Sequence, residues 1–306
     1  MKLNTYSRAI AAVVAATLVQ SFIGEKPAAA VSLTALTSTN TLISFDSATP
    51  GTTSSLAVSG IAGSLIGIDY RPANNLLYGV SDASQIYTIN TSTGAATLAS
   101  TLSTNFTSGV QSGVDFNPVP NLLRLVGSND QNLRVNVDTG ATTVDGTLAY
   151  AAGDLNFGQN PNITASAYTN SDIDPNTGTT LYGIDSDLNN LVMQNPPNAG
   201  TLTTVGSLNT NVGSTGGFDI FTENGNNTAF AAFDSTLYSI DLGTGLATNL
   251  GAIGGSPTVV GLAAAPNATP VPFEPSPTLG LLGLGAWAAV SQLKNRKRLA
   301  KLSQKN

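Results

Sequence analysis

The sequence predicts an all-β fold, a single β-propeller of five four-stranded blades, and three observations point there. Apolar residues alternate or gather in short runs punctuated by Asn, Asp, Gly, Ser and Thr, with no long helical period. A unit of about 45–50 residues recurs along the middle of the chain, the spacing of propeller blades. The two ends of this array are incomplete in complementary ways.

The unit is legible from Leu65 onward. Leu65-Ile-Gly-Ile-Asp69 is followed by a turn at Arg71–Asn75, then Leu76–Val80, Gln85–Asn90, a turn at Thr93-Gly94, and Ala95–Leu98. The order recurs from Gly113-Val-Asp-Phe116 through Leu122–Val126 and Leu133–Val137 to Thr139-Gly140. It recurs from Ala165 through Leu181–Ile184 and Leu188 to Val205, and again from Gly217-Phe-Asp219 through Ala229–Ala232 and Leu237–Ile240 to Thr244-Gly245. The first strand near Ala165–Thr169 is the most ragged, and the long segment Tyr150–Asn162 before it has room for extra structure.

Val259–Ala264 reads as a lone first strand, and residues 32–58 supply three strands that lack a first: Leu33–Leu36, Leu42–Phe45 and Ser55–Val58. Joining them completes a fifth blade from both ends of the array and removes open sheet edges that would otherwise invite aggregation.

The flanks read as addresses. Lys2 and Arg8 precede an apolar stretch from Ala9 to Gly24, and Ala28, Ala29 and Ala30 supply the small residues a signal peptidase needs, so a mature start near Val31 is expected. At the other end, Val271-Pro-Phe-Glu-Pro-Ser-Pro277 precedes a charge-free stretch, 278–293, about 24 Å long as a helix. Lys294, Arg296, Lys297 and Arg298 then form a basic cluster that the positive-inside rule keeps cytoplasmic. This order resembles the PEP-CTERM class of sorting tails, with Pro272, Glu274 and Pro275 matching the signature and Phe273 interrupting it as in a variant form. The resemblance implies recognition by an exosortase-type enzyme and transfer to the cell surface or extracellular matrix of a Gram-negative-type bacterium; a plain single-span anchor is the alternative. The expected organisation is a signal peptide at 1–30, the propeller at 31–266, a Pro-rich linker and signature at 267–277, a transmembrane helix at 278–293 and a basic tail at 294–306. Helices are expected only in the targeting segments.

Charge separates body from flanks. Between residues 31 and 270 three arginines stand against 16 acids, net −13, while the first 30 residues carry +2 and the last 36 carry +5. An acidic body opposes phosphate backbones, so no nucleic-acid partner is expected. The 306 residues include no Cys and no His, which removes disulfides, thiolate chemistry, the commonest general base and the commonest zinc ligand.

The middle is similar to a bacterial family known as domain of unknown function 4394, an often exported, propeller-like group. The matching stretches are Gly113-Val-Asp-Phe-Asn-Pro118, Asn132-Leu-Arg-Val-Asn136 with Asp138-Thr-Gly140, and Thr180-Leu-Tyr-Gly-Ile-Asp185. The resemblance implies fold and export and brings no activity.

Three groups of candidate ligand residues stand out. Asp69, Asp115 and Asp219 occupy the same place in three blades, each after Gly and an apolar residue, and three carboxylates converging on a channel could hold Ca²⁺. The alternative is that each accepts hydrogen bonds from the turns of its own blade. Asp172, Asp174 and Asn176 place oxygens at alternate positions, as calcium loops do, but Gly178 comes one place too late for an EF-hand and the residues also suit a tight turn. Arg124 and Arg134 fall on adjacent strands of one blade, where they could meet an anionic ligand or pair internally with Asp115 or Asp138. No resident cofactor is expected, with calcium the one candidate. The reading is therefore an exported binding or structural propeller that is not an enzyme, with extracellular polysaccharide as a candidate partner; the alternative is a secreted, carboxylate-dependent polysaccharide hydrolase or lyase.

Overall fold

The structure is a computed structural model that describes residues 30–266, apart from 173 and 175. It is a five-bladed propeller. The first blade comprises Leu65–Arg71, Leu76–Ser81, Gln85–Ile89 and Ala96–Thr101, and the second Ser112–Asn117, Leu122–Gly127, Asn132–Val135 and Thr142–Val144. The third comprises Ile163–Tyr168, Leu181–Asp185, Asn190–Gln194 and Thr201–Ser207, and the fourth Gly216–Glu223, Asn226–Phe233, Thr236–Ile240 and Ala247–Ala252. In the closing blade Val259–Ala264 pairs antiparallel with Ser32–Thr37, followed by Thr41–Asp46 and Thr49–Ala57, so both ends of the described chain complete one sheet.

Burial falls from axis to rim, and composition follows it. Ile163–Tyr168 and Val259–Ala264 are buried at every position, because an inner strand has a neighbouring blade on each face. The outermost strands, such as Ala96–Thr101 and Thr49–Ala57, are mostly exposed and rich in Thr and Ser. The core lies between blades, where Tyr78 of the first meets Phe116 of the second edge to face at 5.3 Å. The inner strands approach so closely that a Cβ at Gly217 would lie 2.3 Å from the backbone nitrogen of Leu262. Glycine before the aspartate is thus a packing requirement.

The Thr-Gly turns share one mechanism. Asn90, Asn136 and Asp241 each accept two turn amides on their side-chain oxygen, and Gly94, Gly140 and Gly245 follow at positive φ. The third blade departs from the repeat. Its inner strand has Ala165 and Ala167 where three other blades have Gly and Asp, which accounts for the ragged pattern, and Ala149–Tyr150 adds a fifth strand parallel to Thr201–Ser207. Residues after Tyr150 are pinned through Asp154, whose carboxylate accepts the Thr204 amide and hydroxyl.

Among the described residues the single helical piece is a 3₁₀ turn at Pro197–Ala199, and no helix is long and apolar enough to cross a membrane. The expected targeting helices, including 278–293, lie outside the described residues.

Candidate functional site

Hairpin register fixes one position per blade at the axis. Asp69 lies opposite Tyr78, Asp115 opposite Arg124 and Asp219 opposite Phe230. The same position holds Ala167 in the third blade and Ala263 in the closing blade. The three aspartates are buried, and a carboxylate oxygen from each lies within 4.8 Å of the other two.

Each carboxylate ties its blade to the next one round the ring. Asp69 Oδ2 accepts the Phe116 amide at 2.7 Å, Asp115 Oδ1 the Tyr168 amide at 3.0 Å, and Asp219 Oδ2 the Ala264 amide at 2.5 Å. In every case the donor sits one residue past the matching position of the following blade. Asp69 and Asp219 also accept the amides of Tyr70 and Ile220 at 2.6 Å. This corrects the expectation of bonds from turns of the same blade: the stagger between neighbouring inner strands brings a foreign amide closer than any turn.

Burial, joined by the charge of Asp219, pushes the Asp69 carboxyl well above the usual range. Burial and the charges of Asp69 and Asp219 do the same to Asp115. Asp219 rises to about 6 through burial, offset in part by the Ala264 and Ile220 amides and by a bond shared with Asp115. The cluster resists carrying three negative charges alone.

Asp69 and Asp219 line a pocket of about 290 Å³ at one end of the axis, whose wall includes Tyr70, Asn75, Ser171, Asp172, Phe221, Thr222 and Pro266. Below the carboxylates the channel narrows to a void of about 10 Å³ lined by Gly67, Gly113, Ser166, Gly217 and Gly261. Near the start of the inner strands the Gln111 amide donates to the carbonyls of Gly216 and Val260, bridging blades across the axis. The arrangement can accept hydrogen bonds from a ligand, or oxygen-coordinate a cation, at the pocket floor.

The other candidates lie apart from this site. Arg124 and Arg134 face each other on adjacent strands, as expected, but their partner is Asp145, at 2.5 and 2.7 Å, and neither Asp115 nor Asp138. Asp138 is held by Arg71 instead, at 2.7 Å. Arg124 is 1% exposed and also donates to Tyr168, Asn132 and Asn198, so four of its five N–H groups are engaged within the protein and the buried guanidinium is not offered to a ligand. Burial works against the Asp145 charge, but bonds from Arg134 and Arg124 outweigh it and hold its carboxyl below the usual range. Asp172 borders the pocket, yet its Oδ1 accepts the Asp174 amide, while Asp174 Oδ1 accepts both the amide and the side-chain NH₂ of Asn176. These are the bonds of a tight turn. Among the described residues, Asp69, Asp115 and Asp219 form the one group of three acids close enough to share an ion.

Asp145 and Gln111 were invisible as sequence candidates because both lie outside the repeated strand motifs: Asp145 follows the outer strand of the second blade and holds Arg124 and Arg134 of that blade, while Gln111 reaches across to the fourth and closing blades. The pocket walls at Asn75, Ser171 and Thr222 lie beside the predicted first-strand turns, which would have been the signal for them.

No curated protein matches the chain. Among solved structures, the chain is similar to one from a nidogen/laminin complex, with a TM-score of 0.44 and 10% identity over 77% of this chain and 84% of that one. It is also similar to a structural genomics protein of unknown function from Bacteroides thetaiotaomicron VPI-5482, with a TM-score of 0.46 and 16% identity over 80% and 63%. A third is a catalytically inactive virginiamycin B lyase from Staphylococcus aureus with quinupristin, with a TM-score of 0.39 and 11% identity over 74% and 71%. The sequence model of the family described as domain of unknown function (DUF4394) matches residues 41–263, from the third strand of the closing blade to its inner strand, and the chain belongs to that family.

Proposed function

We propose that the chain is an exported propeller with a binding rather than a catalytic role, and that its ligand seats in the axial pocket against Asp69 and Asp219. One observation carries the reading: buried carboxylates at a pocket floor, with no protein cation to match them. Among the described residues the cations are Arg71, Arg124 and Arg134, and each is engaged by Asp138 or Asp145. The polar walls at Asn75, Ser171, Asp172 and Thr222 suit a hydroxyl-rich ligand whose OH groups donate to the floor, and extracellular polysaccharide is such a ligand.

Export is supported by the sequence of the flanks. Ala28 and Ala30 offer a signal-peptidase site, and Pro272, Glu274 and Pro275 a sorting signature ahead of an apolar stretch and a basic tail. In this reading a membrane-held precursor is released to the cell surface or matrix by an exosortase-type enzyme. The test is a pull-down of the exported protein on the producer's own polysaccharide, beside an Asp69→Asn, Asp219→Asn double variant. Retention of the parent and at least a several-fold loss in the variant is the expected result. Failure of the parent to bind would defeat the reading, and release of shortened oligosaccharides would favour polysaccharide cleavage instead.

A further inference from the structure

The pocket, the carboxylates and the narrow void beneath them lie in one column along the axis. Ser166 lines that void, is 2% exposed, and has a hydroxyl with no hydrogen-bond partner. A Cβ on Gly113 would fall 2.2 Å from this Oγ, and Gly113 stands two residues before Asp115 on the same strand face. The unpartnered hydroxyl therefore sits one pleat below the carboxylate layer, in a space the size of about one water. A buried hydroxyl without a partner is costly, and a polar occupant of the column would satisfy it.

We propose that this column is a calcium site: Asp69, Asp115 and Asp219 hold the ion, Ser166 orders a water beneath it, and coordination positions facing the pocket are completed by hydroxyls of the ligand. The proposal rests on the pocket being the binding site and names the ion through which it binds. The donors are all oxygen, which selects a hard cation, and the chain has no Cys or His to offer a softer one. Oxygens within 4.8 Å of one another are close enough to share one ion, and Ca²⁺, which takes six to eight oxygens in flexible geometry, suits three carboxylates fixed by backbone amides better than Mg²⁺, which demands a near-ideal octahedron. The backbone amides of Phe116, Tyr168 and Ala264 fix the three carboxylates before any ion arrives, which lowers the ordering cost of binding. Ala167 and Ala263, at the two remaining ring positions, leave space for the waters or hydroxyls that a six- to eight-coordinate ion needs.

The experiment uses the full chain stripped with EDTA and titrated separately with CaCl₂ and MgCl₂ by isothermal calorimetry, with parallel thermal melts. One Ca²⁺ per chain is expected, at least about tenfold tighter than Mg²⁺, with a rise in melting temperature. Asp115→Asn keeps an acceptor for the Tyr168 amide, so it should melt no lower than the parent in EDTA yet bind Ca²⁺ at least about tenfold more weakly. Ser166→Ala should weaken binding a few-fold, and Asp174→Asn, on the exposed turn, should leave it unchanged. No heat and no melting shift in the parent at about 10 mM CaCl₂, beyond the weakest extracellular calcium modules, overturns the site. So does parent-like affinity in a folded Asp115→Asn protein; should that variant fail to fold, the parent's stoichiometry and Ca²⁺ preference decide. Polysaccharide retention that persists in EDTA would remove the ion and leave the pocket as the binding site.

Discussion

Asp69 in the first blade accepts the backbone amide of Phe116 in the second at 2.7 Å, and the same bond recurs from Asp115 to Tyr168 and from Asp219 to Ala264. The aspartates thus join neighbouring blades where the inner strands converge, and the same carboxylates face one another across the axis. Structure and candidate chemistry draw on the same atoms, and substitutions that keep the acceptor separate the two roles.

Removing the acceptor should cost more than removing the charge. Asp69→Ala removes the acceptor of the buried Phe116 amide and of the half-buried Tyr70 amide and should lower stability by about 2–4 kcal/mol. Asp69→Asn keeps one carbonyl acceptor and relieves charge repulsion, so it should stay within about 1 kcal/mol of the parent. Urea denaturation of both proteins in EDTA provides the comparison, and equal losses would contradict the stitching role.

The carboxyls of the axial cluster also set a pH dependence with an unusual sign. A carboxyl raised in the folded state keeps its proton after the unfolded chain has lost it, so folding stability is fully present below about pH 3.8 and is lost as pH rises through the folded value, about 6 for Asp219. Tyr70 and Tyr168, the tyrosines beside the cluster, are pushed above 10, Tyr70 by burial first and then by the Asp69 charge, Tyr168 chiefly by burial, and do not titrate in this window. In EDTA the urea midpoint should fall between pH 4 and 7, and Asp219→Asn should flatten the slope. A midpoint that climbs steadily over that range would contradict the assignment.

The pair of arginines on Asp145 should respond unequally. Asp145→Ala strands Arg124, whose side chain is 1% exposed, and should cost about 3–5 kcal/mol. Arg134 is 30% exposed, and Arg134→Ala should cost no more than about 1 kcal/mol. Thermal melts of the two variants would expose a reversed order.

Closure of the ring predicts the effect of truncation. Deleting residues 31–58 removes Ser32–Thr37 and the two strands outside it, which leaves Val259–Ala264 unpaired along one edge. The product should aggregate, as light scattering during expression and refolding would show. A soluble remnant that unfolds cooperatively would mean that four blades suffice.

The tail prediction concerns residues outside the described part of the chain. Glu274→Ala leaves the apolar stretch 278–293 intact, so membrane insertion should be unchanged while the full-length precursor accumulates in the membrane fraction. Immunoblots of membrane and medium fractions would show it. Continued release of a shortened form would point to a plain anchor trimmed by general proteolysis.

Blade order, strand identity and closure through Leu33–Leu36 and Val259–Ala264 were legible along the chain, because strand period and turn chemistry are local properties and each unit repeats them. The facing of Arg124 and Arg134 followed from hairpin register for the same reason. Their choice of Asp145 over Asp115 or Asp138 was not legible, nor was the approach of Asp69, Asp115 and Asp219 to within 4.8 Å. A one-dimensional repeat states which residue each blade brings to the axis, whereas the stagger of neighbouring inner strands determines which amide a carboxylate reaches. Gln111 makes the same point: nothing in its neighbourhood marks it, and its amide bridges the fourth and closing blades because ring closure alone brings Gly216 and Val260 within reach.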